Sequence, residues 1–327
     1  MYATHTPVDH AANYLVRAGI TAPSLFNTQP WQFVAREAEL DLYADPARLL
    51  PLTDPDAREM VISCGAALFN VRLAMRHLGF LPVVRPFPDP WNPAHLARVS
   101  WGSYVPPGSD EELMFRSVRQ RHTHRGPFHS SLLAQPLIHE LRDHADAEGA
   151  ELHTVGSRSE RTHLADLVRT AERAQRSHPG HVAELASWTR ASHGSRPDGV
   201  PLEVCPYHPD CTALPDRDYL GIARTMPSPP AVWPTRTGLV ALITTQQDSR
   251  QDWLRAGQAL QRVLLWATVH GVAAAFHTQP LELPRLRAEV RAAIPSGQFP
   301  QMILRLGHAA GGRPLPRRSA ASVLSAG

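Results

Sequence analysis

Residues 22–33 read Ala22-Pro23-Ser24-Leu25-Phe26-Asn27-Thr28-Gln29-Pro30-Trp31-Gln32-Phe33. Pro23 and Pro30 fix φ near −65° and each removes a backbone donor, so the stretch is stiff. Ser24, Asn27 and Gln29 place hydroxyl and amide groups on that stiff frame, offering donors and acceptors together. Such an array suits the edge of a flat heterocycle that both donates and accepts, such as the pyrimidine end of a flavin. An Asn/Ser-capped turn leading into a buried strand is the other reading of the same residues.

A second stretch, Arg121-His122-Thr123-His124-Arg125-Gly126-Pro127-Phe128, supplies what the first lacks. In extended backbone Arg121, Thr123 and Arg125 share one face, bringing together two guanidinium groups and a hydroxyl. That trio suits a phosphate monoester, because arginine forms forked, charge-assisted bonds to phosphate oxygens. A solvated basic turn after a helix is the alternative. His122 and His124 alternate with the trio and are expected to face away.

Together the two stretches resemble the nitroreductase-like FMN-binding superfamily. The Ala-Pro-Ser-x-x-Asn-x-Gln-Pro-Trp run is similar to its flavin-edge signature and Arg-x-Thr-x-Arg to its phosphate signature. In ordinary members the phosphate motif comes first; here the order is reversed, and about ninety residues (121 − 31) separate the two. That departure resembles the Acg-type actinobacterial branch, in which one chain carries two nitroreductase-like halves. The resemblance also covers residues 252–260 and 300–307. It implies an α+β fold, a pseudo-dimer with long central helices and mixed sheets. It implies FMN as cofactor, with Ser24, Asn27, Gln29 and Trp31 at the flavin edge and Arg121, Thr123 and Arg125 on the phosphate. It further implies that Thr278 and Gln279, in His277-Thr278-Gln279-Pro280, lie against the redox edge, and that the basic tail 311–318 wraps back with Arg317 reaching the phosphate. A plain strand-to-helix turn and a disordered basic end are the respective alternatives.

The chain has 327 residues, enough for two domains or one fused pair. All 33 basic residues are arginine, and the absence of lysine excludes a P-loop lysine, a Schiff base and a lysine general base. A net charge of +3 with scattered basic residues does not suggest nucleic-acid binding. Three cysteines and no secretory signal lead to the expectation of a reducing cytoplasm. No apolar run approaches bilayer-spanning length, so a soluble protein without a membrane partner is expected.

Thr6-Pro7 opens a helix that Gly19 ends. Residues 31–35 and 39–43 read as a hairpin. Thr53-Asp54-Pro55 starts a long helix ending at Gly79, whose core stripe holds Val61, Cys64, Leu68, Val71, Met75 and Leu78. A strand is expected at 80–84. A second long helix begins at Asp248 or Ser249 and ends at Gly271, before a strand at 272–276. Adding 192 to the first helix aligns Gly65 with Gly257, Ala67 with Ala259, Leu68 with Leu260, Val71 with Val263 and Gly79 with Gly271. With a strand before each helix, at 31–34 and 238–244, internal duplication is the better reading. The paired glycines predict two long helices packed closely across a pseudo-two-fold, a homodimer fused into one chain.

Ser109-Asp110-Glu111-Glu112 predicts a capped helix to about Gln120, with the phosphate motif just beyond. Further helices are expected at 135–148, 158–177 and 180–192, and strands at 150–155 and 302–306. Residues 193–237 are proline- and glycine-rich without sustained period. A cover over the cofactor and a flexible surface insertion are both open. The predicted division is a first half, 1–108, carrying the flavin-edge motif, and a second half, 109–327, carrying the phosphate motif and that insertion. One complete site per chain is expected, since Met226-Pro227-Ser228-Pro229-Pro230, the counterpart of the first motif, lacks its Asn and Gln. A monomer is therefore plausible.

Cys205-x-x-His208-x-x-Cys211 has no apparent fourth ligand, so no metal site is assigned. No catalytic acid or base is nominated, because a flavin carries the difficult step itself. The expected function is an FMN-dependent NAD(P)H oxidoreductase reducing a nitro, quinone or related small-molecule acceptor. The alternatives are a non-catalytic FMN store with a covered pocket and a metal-binding protein built on the Cys/His loop.

Overall fold

The computed structural model describes residues 7–190, 196–205, 214, 216–219, 235–309, 311–312 and 314–327. Among these residues the helices, in chain order, are α1 (Pro7–Gly19), α2 (Arg58–His77), α3 (Ser109–Ser117), α4 (Gln135–Asp146), α5 (Arg158–Ser177), α6 (Pro179–Trp188), α7 (Arg250–Val269) and α8 (Pro284–Ala292). The strands are β1 (Trp31–Ala35), β2 (Glu39–Ala44), β3 (Phe80–Pro86), β4 (His95–Tyr104), β5 (Glu151–Thr154), β6 (Thr189–Arg190), β7 (Val200–Pro201), β8 (Leu239–Thr245), β9 (Val272–Phe276), β10 (Phe299–His308) and β11 (Leu324–Ala326). This is the α+β architecture expected.

Two sheets flank a central helix pair. One runs β11-β1-β2-β4-β3, the other β5-β8-β10-β9, and β6 pairs with β7 separately. The first sheet packs on α1 and α2, where Trp31, Phe33, Leu42, Leu68, Met75 and Leu96 are almost fully buried. The second packs on α3, α4 and α7, and its other face is covered by α5 and α8. α2 lies against α7 along its length. All residues from Arg58 to Arg76 except Arg72 are buried, so its apolar surface extends well beyond the single stripe read from the sequence.

The starts of two helices differ from expectation for local reasons. Thr53-Asp54-Pro55 does not open α2. Ala57 takes a left-handed conformation, the helix begins at Arg58, and the Asp54 carboxylate reaches forward to accept the Glu59 and Met60 amides at 3.0 and 2.8 Å. Those amides are among the donors a helix start leaves unpaired. α3 begins as expected at Ser109, but its cap is one residue earlier: Gly108 donates to Glu111 at 2.8 Å, not Ser109 to Glu112.

Among the described residues, β4, β6, β7, α8 and β11 went unread. β11 is the most consequential. It pairs in parallel with β1, with Phe33 opposite Leu324 and Ala35 opposite Ala326, so the last residues complete the sheet that holds residues 31–104. The tail between β10 and β11 therefore has to cross the region between the two sheets. Of the insertion at 193–237, residues 193–195, 206–213, 215 and 220–234 lie outside the described residues, and with them His208, Cys211 and Met226–Pro230. Among the described residues, no helix is long and apolar enough to cross a membrane.

Candidate functional site

The flavin-edge stretch folds as a tight turn just after α1. Ser24 Oγ accepts the Gln29 amide at 2.9 Å, closing the turn. Phe26, Asn27 and Gln29 sit at φ of 49°, 55° and 52°, in the left-handed region. For a bulky, buried side chain such as Phe26 that conformation costs on the order of 1–2 kcal/mol, and surrounding contacts must hold it. They come from the insertion: the Arg217 guanidinium lies 4.9 Å from the Phe26 ring centre, and Tyr219 meets the ring edge-on at 6.2 Å.

The phosphate stretch leaves α3 and runs beside β9. Thr123 forms a parallel bridge with Ala274, and the His124 amide donates to the Ala274 carbonyl at 2.8 Å. Gly126, at φ 120°, then turns the chain, so strict alternation is not kept along the segment. His124 lines the cleft beside Thr123 and Arg125, where it was expected to face away.

Both stretches border one cleft of about 870 Å³, measured with its open mouth, at the crossing of α2 and α7. Ser24, Asn27, Thr123, Arg125, Thr278 and Arg317 line it. The other four residues assigned from the sequence stand behind that wall. Gln29 is fully buried, donating to the Pro197 carbonyl at 2.8 Å and accepting the Arg318 amide at 2.7 Å; it ties the turn to the insertion and the tail. Trp31 is fully buried in the core of the first sheet. Gln279 is buried and donates to Glu172. Arg121 is 7% exposed and is not among the residues that line the cleft.

The arginines give the cleft its electrostatic character. Arg121 Nη2 and Arg317 Nη2 donate to the same oxygen, the Thr21 carbonyl, at 3.2 and 3.3 Å. That carbonyl lies at the C-terminal end of α1, where the helix dipole favours cations. The Nε atoms of both guanidinium groups are buried with no hydrogen-bond partner among the described residues. Burial, reinforced by the charge of Arg317, pushes Arg121 down to about 9. Burial and the charge of Arg125 push Arg317 down to about 10. Three like charges have thus been brought together with too little to neutralise them, an arrangement that favours an anion.

No family model matches the chain. A Mycobacterium tuberculosis H37Rv protein designated provisionally as an NAD(P)H nitroreductase, Rv3131, is 32% identical over 98% of this chain and 93% of its own length. The same organism's Acg protein, given the same provisional designation, is 30% identical over 89% of this chain and 87% of its own. The chain belongs to the nitroreductase family, in its Acg-like group. Similar solved structures of nitroreductases include the FMN-dependent enzyme NfnB from Mycobacterium smegmatis in complex with NADPH, at 15% identity and TM-score 0.39, covering 64% of this chain and 96% of that one. Another is a Bacteroides fragilis nitroreductase with bound FMN, at 14% identity and TM-score 0.37, covering 63% and 92%.

In this nitroreductase-family cleft Asn27, assigned from the sequence, is also a clamp: it donates to the Gly199 and Pro316 carbonyls at 2.9 and 3.1 Å and accepts Arg317 Nη1 at 2.9 Å. Several further residues escaped sequence reasoning. Asp216 accepts the Gly126 amide at 2.7 Å and Arg305 Nη2 at 3.3 Å. Arg305, fully buried on β10, also donates from Nε to His277 at 2.7 Å. Arg217 pairs with Glu282, which also accepts the Thr278 hydroxyl at 3.0 Å. Glu59, in the first turn of α2, completes the wall. The one available signal for it was a charged Arg58-Glu59 pair just ahead of the largely apolar run 60–69.

Proposed function

We propose that this cleft binds FMN and that the chain is an NAD(P)H-dependent flavin oxidoreductase acting on a nitro, quinone or related acceptor. The observation that carries the reading is the convergence of Arg121 and Arg317 on the Thr21 carbonyl with two buried Nε groups unpartnered. A phosphate dianion fits that cradle. In this reading Arg125 and Arg317, with Thr123, hold the phosphate and Arg121 adds its charge from behind the wall, while Ser24, Asn27 and Thr278 face the ring system.

FMN, when bound, accepts hydride from a reduced nicotinamide and passes two electrons on; the protein's part is to hold it, set its polarity and control access. Gln29, Trp31 and Gln279 then act indirectly, by fixing the turn and strand end that shape the pocket. Family membership supports the reading, as do the FMN and NADPH named for the solved nitroreductases.

The experiment is the visible spectrum of the purified protein, with acid release and identification of any chromophore, repeated on the Arg121→Ala/Arg125→Ala double variant. A yellow wild type and a colourless variant support the reading. Unchanged FMN affinity in the variant removes the phosphate assignment.

A specific observation also favours a second reading, a store that sequesters FMN. The described part of the insertion lies over the cleft, with Asp216, Arg217 and Tyr219 in its wall. Anaerobic mixing with NADPH separates the two readings: prompt bleaching of bound flavin supports the oxidoreductase, and none over minutes supports the store.

A further inference from the structure

Three carboxyl groups meet where α2 begins, and they are not equivalent. Asp54 accepts two helix amides. Glu282 is paired with Arg217 and accepts Gln175 Nε2 at 2.6 Å and the Thr278 hydroxyl at 3.0 Å. Glu59 accepts Arg58 Nη2 at 2.7 Å, but that guanidinium also serves the Gln301 carbonyl at 2.7 Å. Glu59 is 4% exposed, and it borders the cleft beside Ile62 and Ser63. Ser63 Oγ donates to the Glu59 carbonyl at 2.7 Å, tying that turn of the helix down.

We propose that Glu59 is the proton donor of this cleft, supplying the proton that accompanies hydride when an acceptor such as a quinone is reduced there. The proposal rests on the FMN reading above. Its chemical logic is that neighbouring carboxylates cannot all ionise in a poorly solvated site. The positions that best stabilise an anion are taken by Asp54 and Glu282, so Glu59 is the group that keeps its proton.

The charged groups facing Glu59 act in both directions. Burial pushes its carboxyl up to about 8; Arg58, on the same helix, and Arg217, from the insertion, oppose this, while Glu282 and Asp54 reinforce it. At neutral pH the group is then an acid within reach of its task, the condition general acid catalysis requires.

In this step a reduced nicotinamide, by way of the cofactor, supplies two electrons and one hydrogen as hydride to the quinone. The Glu59 O–H bond breaks and an O–H bond forms on the quinone oxygen, giving the hydroquinone. The carboxylate left behind is held by Arg58 until solvent returns a proton.

The test has a spectroscopic and a kinetic arm. Infrared spectroscopy of the wild-type protein is expected to show the carbonyl stretch of a protonated carboxylic acid at pH 7, fading as pH passes about 8 and missing in Glu59→Gln. Stopped-flow reoxidation by a quinone is expected to slow about a hundredfold in Glu59→Gln at pH 7, the scale of a lost general acid. Glu59→Asp should restore part of the reoxidation rate. Absence of the band from the wild type, or an unchanged reoxidation rate in Glu59→Gln with the band present, overturns the proposal. A wild type that binds no FMN overturns the function reading and the donor role together. The infrared band, which needs no cofactor, tells that failure apart from a Glu59 that is simply ionised.

Discussion

Gly65 and Gly257 face each other where α2 crosses α7. A Cβ added to Gly65 would stand 2.3 Å from the Leu254 carbonyl oxygen and 3.0 Å from the Gly257 Cα. One added to Gly257 would stand 2.0 Å from the Ile62 carbonyl oxygen. The two approaches exchange on adding 192, since 65 becomes 257 and 62 becomes 254. Such reciprocity is what a two-fold related interface requires. It agrees with the duplication read from the sequence.

Backbone on both sides leaves no flexible side chain to yield, so the crossing has no room for a methyl group. Gly65→Ala and Gly257→Ala are each expected to destabilise by about 1–3 kcal/mol, the cost of overpacking a close-packed interior. Urea unfolding of both variants checks this, and reciprocity requires the two losses to be similar. A loss below about 0.5 kcal/mol in either would mean that the helices separate freely.

Replacing Arg121 or Arg317 by alanine separates ligand binding from stability. Without one of these guanidinium groups on the phosphate, FMN is expected to bind more weakly by about 1.5–3 kcal/mol, while riboflavin, which lacks the phosphate, binds as to wild type. Ligand-free Arg121→Ala should unfold at or above the wild-type temperature, because an uncompensated buried charge has gone, whereas Arg317→Ala also loses its bond to Asn27 and should not gain stability. Fluorescence titration with both flavins, together with thermal melts, provides the measurement. Equal losses for FMN and riboflavin would refute the cradle.

Asn27→Ala removes the hydrogen bonds that join the turn to Gly199, Pro316 and Arg317. The expected cost is about 1–3 kcal/mol, because buried partners are left unpaired. Limited proteolysis should cut the C-terminal tail faster than in wild type, since the clamp and β11 hold the same segment. An unchanged cleavage rate would show that β11 alone anchors the end.

Acid sensitivity is expected from Asp41, fully buried within the first sheet. Burial alone would raise its carboxyl, but hydrogen bonds from Arg98 at 2.7 Å and Arg36 at 2.8 Å, with the charge of His95, hold it at about 2. A carboxyl depressed in the folded state gives stability that is present above its unfolded value, near 3.9, and is lost as pH falls toward 2. Asp41→Asn should therefore be less stable than wild type at pH 7, and the gap should narrow between pH 4 and 2. Denaturant melts across that range test it; a constant gap would assign the loss to packing.

The sequence by itself determined the helices and strands whose periodicity is local. α5, β1 and β9 fall at the expected limits, and α7 starts within two residues of its Ser249 cap, because each carries its own stripe, alternation or stop signal. It also picked out residues 22–33 and 121–128, since prolines and paired arginines leave their mark in any context. Tertiary structure alone decided which of those side chains look into the cleft. Gln29 and Trp31 turned inward because three left-handed residues bend the stretch, and that bend is held by Arg217 and Tyr219 from a segment far along the chain. β11 carries too few residues for a periodic signal, and its place beside β1 depends on a partner some 290 residues away. Glu59 reads in sequence as an ordinary helix-start acid; its distinction comes from burial and from Asp54 and Glu282. Charge, exposure and partner identity arise from the packed neighbourhood, which no local pattern encodes.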